Sequence, residues 1–117
     1  PCATPAHHQK ADDFARQGEA LVVLLFAPIE GHKIPLWEQE LSCGAVGMNL
    51  LHAAHAMGFV GSWLTGWAAY DSTVQKSFCI GSERIAGFFF VGSPGAEILE
   101  RSRPDLSNVV RRWAGAT

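Results

Sequence analysis

Basic residues are few and scattered: nine Lys and Arg stand against eleven Asp and Glu in 117 residues, for a formal net charge of -2. Nucleic-acid binding needs a dense positive footprint, so no nucleic-acid partner is expected. Long apolar stretches are missing too. The longest, Ala20 to Pro28 and Ile85 to Val91, fall well short of the roughly 20 residues that cross a bilayer, so no membrane association is expected. Cysteine is scarce: Cys2, Cys43 and Cys79 are odd in number and far apart, which argues against a secreted disulfide framework and for a reducing cytoplasm. No basic leader with an apolar core precedes the first apolar run, and nothing marks export. Repeats and low-complexity segments are absent.

What is present is 48% hydrophobic, enough for one modest domain and not for two. The whole chain, 1–117, is read as a single domain. Residues 1 to 9 carry two prolines and no periodicity and read as a loose arm, followed by a short helix from Lys10 to Gln17 closed by Gly18. Glu19 to Pro28 is a continuous apolar run bounded by a glycine and a proline, which favours a strand buried on both faces. Pro35 fits the first turn of a helix and Gly58 the left-handed position after its last turn, so a long helix is predicted from about Pro35 to Met57.

At about 100° per residue, Leu36, Glu40, Cys43, Gly44, Gly47, Leu51 and Ala54 share one side of that helix. This strip of small residues would let another backbone approach. Trp37, Leu41, Ala45, Val46, Met48, Leu50 and Met57 spread round the rest, and a helix apolar on nearly all sides must be buried in a core or an interface. Phe59 to Leu64 reads as a short strand, Asp71 as the cap of a helix through about Phe78, and Ile85 to Val91 as a second buried strand. Gly92-Ser93-Pro94-Gly95 ends it, and Pro104 or Asp105 opens a short helix, LSNVVRRW.

Familiar catalytic sets cannot be assembled. His52 and His55 lie three apart with Cys43 nine residues before, but no second pair completes a tetrahedral metal site. They read as core or interface histidines, and His7 and His8 as solvated. Cys43 and Cys79 have no CxxC partner or basic cluster and read as inert thiols. Glu38 and Glu40 point to different sides of the helix. Ser42, Ser62 and Ser93 sit in no nucleophile elbow, and no GxGxxG follows a strand.

Residues 32 to 67, HKIPLWEQELSCGAVGMNLLHAAHAMGFVGSWLTGW, are the distinctive segment: a long apolar helix runs through a glycine into a Trp-Leu-Thr-Gly turn. With the IAGFFFVGSP strand and the Arg-x-Arg-Pro-Asp tail, it resembles the nitroreductase family. The likeness is to a small branch with a His-Lys-Ile/Val-Pro-x-Trp-Glu-Gln opening and a Trp-x-Thr/Ser turn, and it covers about residues 15 to 113. The resemblance implies an α+β fold, a mainly antiparallel sheet packed on a long central helix, incomplete at the N-terminus.

It also implies an FMN-dependent NAD(P)H oxidoreductase. Reduced nicotinamide gives hydride to flavin N5 in a ping-pong cycle, and a small-molecule nitro, quinone or enone acceptor then takes the electrons. Trp63, Leu64 and Thr65 would lie against FMN, and Arg101 and Arg103 would reach its phosphate, to which guanidinium forks are matched. NAD(P)H as co-substrate would approach Ala53, Ala54, His55, Ala56, Met57 and Gly58. No catalytic side chain and no metal are implied, because the flavin carries the chemistry. Family dimers are intertwined across the central helix, so a homodimer or higher homo-oligomer is expected, with the Gly44 and Gly47 strip as its close-packing face. The family's Arg-Arg-Ser phosphate grip has no counterpart in the sequence. That departure supplies the alternative, a non-catalytic dimerisation domain that has lost flavin.

Overall fold

The computed structural model describes residues 4–95, 97 and 100–115. Pro1 to Ala3, the start of the expected arm, lie outside them. From Pro5 the arm is helical: α1 spans Pro5–Ala15. It begins earlier than the predicted Lys10 because Thr4 caps it. The Thr4 hydroxyl accepts from the His7 N–H at 3.4 Å, and His7 Nδ1 accepts from the Thr4 N–H at 3.2 Å. This is a capping box with histidine in place of the usual Glu or Gln, and Pro5 occupies the first turn, where its missing N–H costs nothing.

Three strands form one antiparallel sheet in the order β1 (Ala20–Phe26), β3 (Arg84–Gly92), β2 (Val60–Leu64). β3, running through Phe88-Phe89-Phe90, is the centre. Phe89 is fully buried and its two neighbours are nearly so, each contributing about 1.5–3 kcal/mol by leaving water. β1, expected to be buried on both faces, is an edge strand with Leu21 and Val22 each 43% exposed. A continuous apolar run does not distinguish a central strand from an edge strand that something else must cover.

Alternation along β3 divides the core. Phe88 and Phe90 face one side, where Phe14 of α1 meets both rings edge-on at 5.3 and 5.2 Å. They pack there with Ala68, Ala69 and Leu64. Phe89 faces the other side, under α2 (Leu36–Ala56). Near the start of β3 the register slips, from Leu24 opposite Gly87 to Leu25 opposite Ile85. Ala86 is the extra residue of this bulge. The insertion reverses the alternation, so that Ile85 joins the Phe88 and Phe90 side.

α2 agrees with its predicted limits to within a residue, with Pro35 as N-cap and Gly58 at φ 85°. Gln39 ties the preceding loop to it: its amide donates to the carbonyls of Ile29 at 3.2 Å and Ile34 at 2.9 Å and accepts from the Ile29 N–H at 3.0 Å. Of the small-residue strip, Gly47 and Ala54 pack inward, while a Cβ on Gly44 would meet nothing within 4 Å and Leu36 is 50% exposed. A Cβ placed on Gly47 would stand 2.8 Å from Phe89 Cζ and 3.1 Å from Trp63 Cζ3. The expected use of Gly47 as a close-packing face for a second copy is therefore corrected: this side of α2 lies on its own sheet. The outer side remains exposed, with Trp37 at 60% and Leu41 at 63%.

After β2 a 3₁₀ turn (Trp67–Ala69) leads to α3 (Ser72–Phe78). Asp71 caps α3, accepting from Thr73 N–H at 2.9 Å and Val74 N–H at 3.0 Å, as its sequence position predicts. Among the described residues of the tail, only Leu106–Val109 is helical (α4), capped by Asp105. No helix among the described residues is long and apolar enough to cross a membrane.

Candidate functional site

β2 carries Trp63 and Leu64 to opposite faces of the sheet, as alternation requires. Leu64 joins the Phe88 side. Trp63 lies on the α2 side, with its ring centroid 5.1 Å from that of Phe89 and the planes tilted by 31°. Its indole also covers Gly87, where a Cβ would collide with it. The indole Nε1–H donates to the Ala86 carbonyl at 3.1 Å. The bulge supplies this acceptor, because the extra residue has no partner opposite it on β1. Trp63 is thus clamped by two glycines, a phenylalanine and a bulge carbonyl. Its partial burial comes from packing, and Thr65, next along, starts the turn that Gly66 completes at φ 52°.

Beside this clamp opens a cleft of about 480 Å³. Trp63, Phe26, Ala69, Ile85 and Ala86 give it apolar walls, and Glu40, Thr65, Tyr70, Gln75 and Arg84 supply its polar groups. Gln75 is partly committed, donating to the Ala69 carbonyl at 2.9 Å. Arg84 Nη2 meets Glu40 Oε1 at 2.6 Å, and the guanidinium lies 5.0 Å from the centre of the Phe26 ring. Cys43 also borders the cleft, and burial pushes its thiol above the ordinary cysteine value, so it is not an activated thiolate. Burial and the Glu83 carboxylate push Cys79 the same way.

The remaining residues singled out from sequence lie elsewhere. Ala53 to Gly58 form the end of α2 and its exit; Ala54 is buried, Met57 is 73% exposed, and His55 borders a second cleft of about 630 Å³ with Arg16, Glu19, Ser62 and Ser93. Strand rise puts Val60 and Leu64 about 13 Å apart, so the segment proposed for nicotinamide and the turn proposed for flavin occupy opposite ends of β2. Arg101 and Arg103 border neither cleft. Arg103 pairs with Glu100 at 3.3 Å in the exposed tail. His52 is exposed on α2. Among the described residues no three His, Cys, Asp or Glu side chains converge on a point.

Sequence reasoning passed over Glu40 and Arg84. One signal was available: Glu40 falls on the same side of the helix as Gly47 and Ala54, and a carboxylate on an inward face calls for a cationic partner.

A long helix on one face of a short antiparallel sheet, with a cleft where the edge strand ends, defines an α+β protein. Residues 3–93 match the sequence model of the Nitroreductase family, and the chain belongs to that family. It is 37% identical over 90 residues to YdjA of Escherichia coli (strain K12), whose name proposes an NAD(P)H nitroreductase; the match covers 73% of this chain and 49% of YdjA. A similarly named Haemophilus influenzae protein is 32% identical over 95 residues, with 79% of this chain and 50% of that protein covered. The chain thus spans about half the length of the curated relatives it matches. The crystal structure of a nitroreductase-like family protein from Bacillus cereus superposes with a TM-score of 0.76 at 16% identity, covering 97% of this chain and 63% of that one. It shows that the fold is nitroreductase-like.

Proposed function

We propose that this chain forms part of an FMN-dependent NAD(P)H oxidoreductase of nitroreductase type, acting on small electron-poor acceptors. Family membership, together with the cleft at Trp63 and Thr65, carries the reading. FMN, when bound, would supply electron transfer between reduced nicotinamide and a nitro, quinone or enone compound. The residues of this chain fit the ring half of such a cofactor. The Trp63 clamp fixes the turn, Thr65 borders the place for the ring, and Phe26, Ile85 and Ala69 would keep water from one side of it, while Leu64, between Trp63 and Thr65, packs on the Phe88 side. The phosphate half does not fit: the one cation bordering the cleft, Arg84, is held by Glu40, and Arg101 and Arg103 lie apart from it.

The nicotinamide reading of Ala53, Ala54, His55, Ala56, Met57 and Gly58 finds support in the cleft beside His55. Because that cleft and the flavin turn stand at opposite ends of β2, one copy of these residues does not present both to the same point. A second copy offers a way to join them. Trp37, Leu41 and Met48 lie within about 40° of one another on the outer side of α2, and all three are at least 47% exposed. Leu41 and Met48 are symmetric about Gly44 and Ala45, so an antiparallel second helix would set Leu41 of one copy against Met48 of the other. We read the assembly as a homodimer or higher homo-oligomer on this outer face.

Purified protein supplied with FMN should retain the visible flavin absorption after gel filtration. A colourless protein that leaves FMN fluorescence unquenched on titration would remove the enzyme reading for this chain and leave a dimerising domain.

A further inference from the structure

The polar end of the Trp63 cleft has a feature that ring binding does not require. Its single cation and its single anion, Arg84 and Glu40, are hydrogen-bonded to each other at 2.6 Å. The guanidinium also lies over the Phe26 ring at 5.0 Å, with the Arg84 and Glu40 side chains 57% and 47% exposed. Of its five N–H donors only Nη2 has a partner among the described residues. Without Glu40, a fork with free donors beside an apolar wall would be a good receptor for a phosphate. With Glu40 in place, one guanidinium nitrogen is already engaged and the pair carries no net charge, so its attraction for an arriving phosphate is reduced. Arg101 and Arg103 offer no substitute, because neither borders the cleft and Arg103 is turned to Glu100.

We propose that Glu40 makes this cleft select flavin by its ring and not by its phosphate, so that the chain binds riboflavin as tightly as FMN. Glu40 is then a specificity-determining residue and Arg84 a masked phosphate receptor. This rests on the flavin reading of the cleft given above. A neutral ring needs only apolar walls and the turn at Thr65, and the chain supplies one side of that seat. Removing the carboxylate while keeping its shape, as in Glu40→Gln, unmasks the guanidinium. Removing the guanidinium, as in Arg84→Gln, leaves a lone carboxylate that repels FMN and not riboflavin.

The test titrates the protein with riboflavin and with FMN at low salt and reads the quenching of flavin fluorescence. Wild-type protein should bind the two within about threefold of each other, as suits a solvent-exposed ion pair. Glu40→Gln should favour FMN by about tenfold or more, the scale of a charge-assisted hydrogen bond, and added salt should erode the preference. Arg84→Gln should favour riboflavin, and the double variant should return to parity. Riboflavin binding monitors the fold of each variant, since the neutral ring occupies the same cleft. A wild-type preference for FMN of tenfold or more, or parity persisting in Glu40→Gln, overturns the proposal while leaving the flavin reading in place. Failure of the wild type to bind either flavin overturns both.

Discussion

β3 and α2 are both strongly apolar elements of the chain, and the structure treats them differently. β3 takes the centre of the sheet and buries Phe88, Phe89 and Phe90 almost completely. α2 buries one narrow face, at Gly47 and Ala54, and leaves Leu36, Trp37, Leu41, Val46 and Met48 between 47% and 63% exposed. Apolar composition states a demand for cover; topology decides whether the chain's own elements meet it. A three-stranded sheet has two faces and one centre, and β3 is the strand with neighbours on both edges. An apolar surface as extensive as the outer side of α2 marks a contact surface.

Truncating the centre should have the largest effect. Phe89→Ala should lower stability by about 3–5 kcal/mol, read from urea unfolding, because a fully buried ring leaves a cavity between α2 and the sheet. Gly47→Val comes next. Its added methyls would press on Phe89 and Trp63, where even a Cβ stands too close, and overpacking of this kind costs about 1–3 kcal/mol. A Gly47→Val protein as stable as the wild type would show that α2 does not lie on β3 as described. Asp71→Ala should cost about 1 kcal/mol through loss of the α3 cap.

On the outer side of α2 the expectation reverses. Leu41→Ser should change unfolding of the isolated chain by no more than about 0.5 kcal/mol and should lower the assembled mass in light scattering. An unchanged mass would mean that another surface joins the copies. The smallest effect concerns the tail. The Ser107 hydroxyl and backbone N–H hold the Asp105 carboxyl below its ordinary pKa. A carboxylate depressed in the folded state contributes its stabilisation above the unfolded pKa and loses it as pH falls through the folded one. The α4 amide signals should therefore weaken in acid before those of β3, and an Asp105→Asn protein should lack that step.

Much of this organisation was legible in the sequence, for identifiable reasons. Pro35, Gly58 and Asp71 act through the backbone within a few residues of themselves, and each stands at the helix end its chemistry indicates. The long helix and the strands near residues 20, 60 and 85 followed from apolar runs between such markers. The start of α1 was hidden because its capping box uses His7. The edge position of β1 was hidden because strand order is a long-range property of the whole sheet. The cleft was half legible: Trp63 and Thr65 belong to a local motif, while the Ala86 bulge and the Glu40–Arg84 pair join residues 23 and 44 positions apart. No local pattern records such pairings. Gly87 also needed coordinates, since only they show an indole lying over it.

The central claim is that the bulge-clamped Trp63 and the turn at Thr65 form one wall of a flavin-ring site. Four tryptophans give four indole N–H resonances, and that of Trp63 is distinguished by its bond to the Ala86 carbonyl. Riboflavin titrated into isotope-labelled protein, with indole signals assigned by single Trp→Phe variants, tests the claim most directly. The account predicts a saturable shift of the Trp63 signal with that of the exposed Trp113 unmoved. A Trp63 signal that stays in place while flavin binds would contradict it.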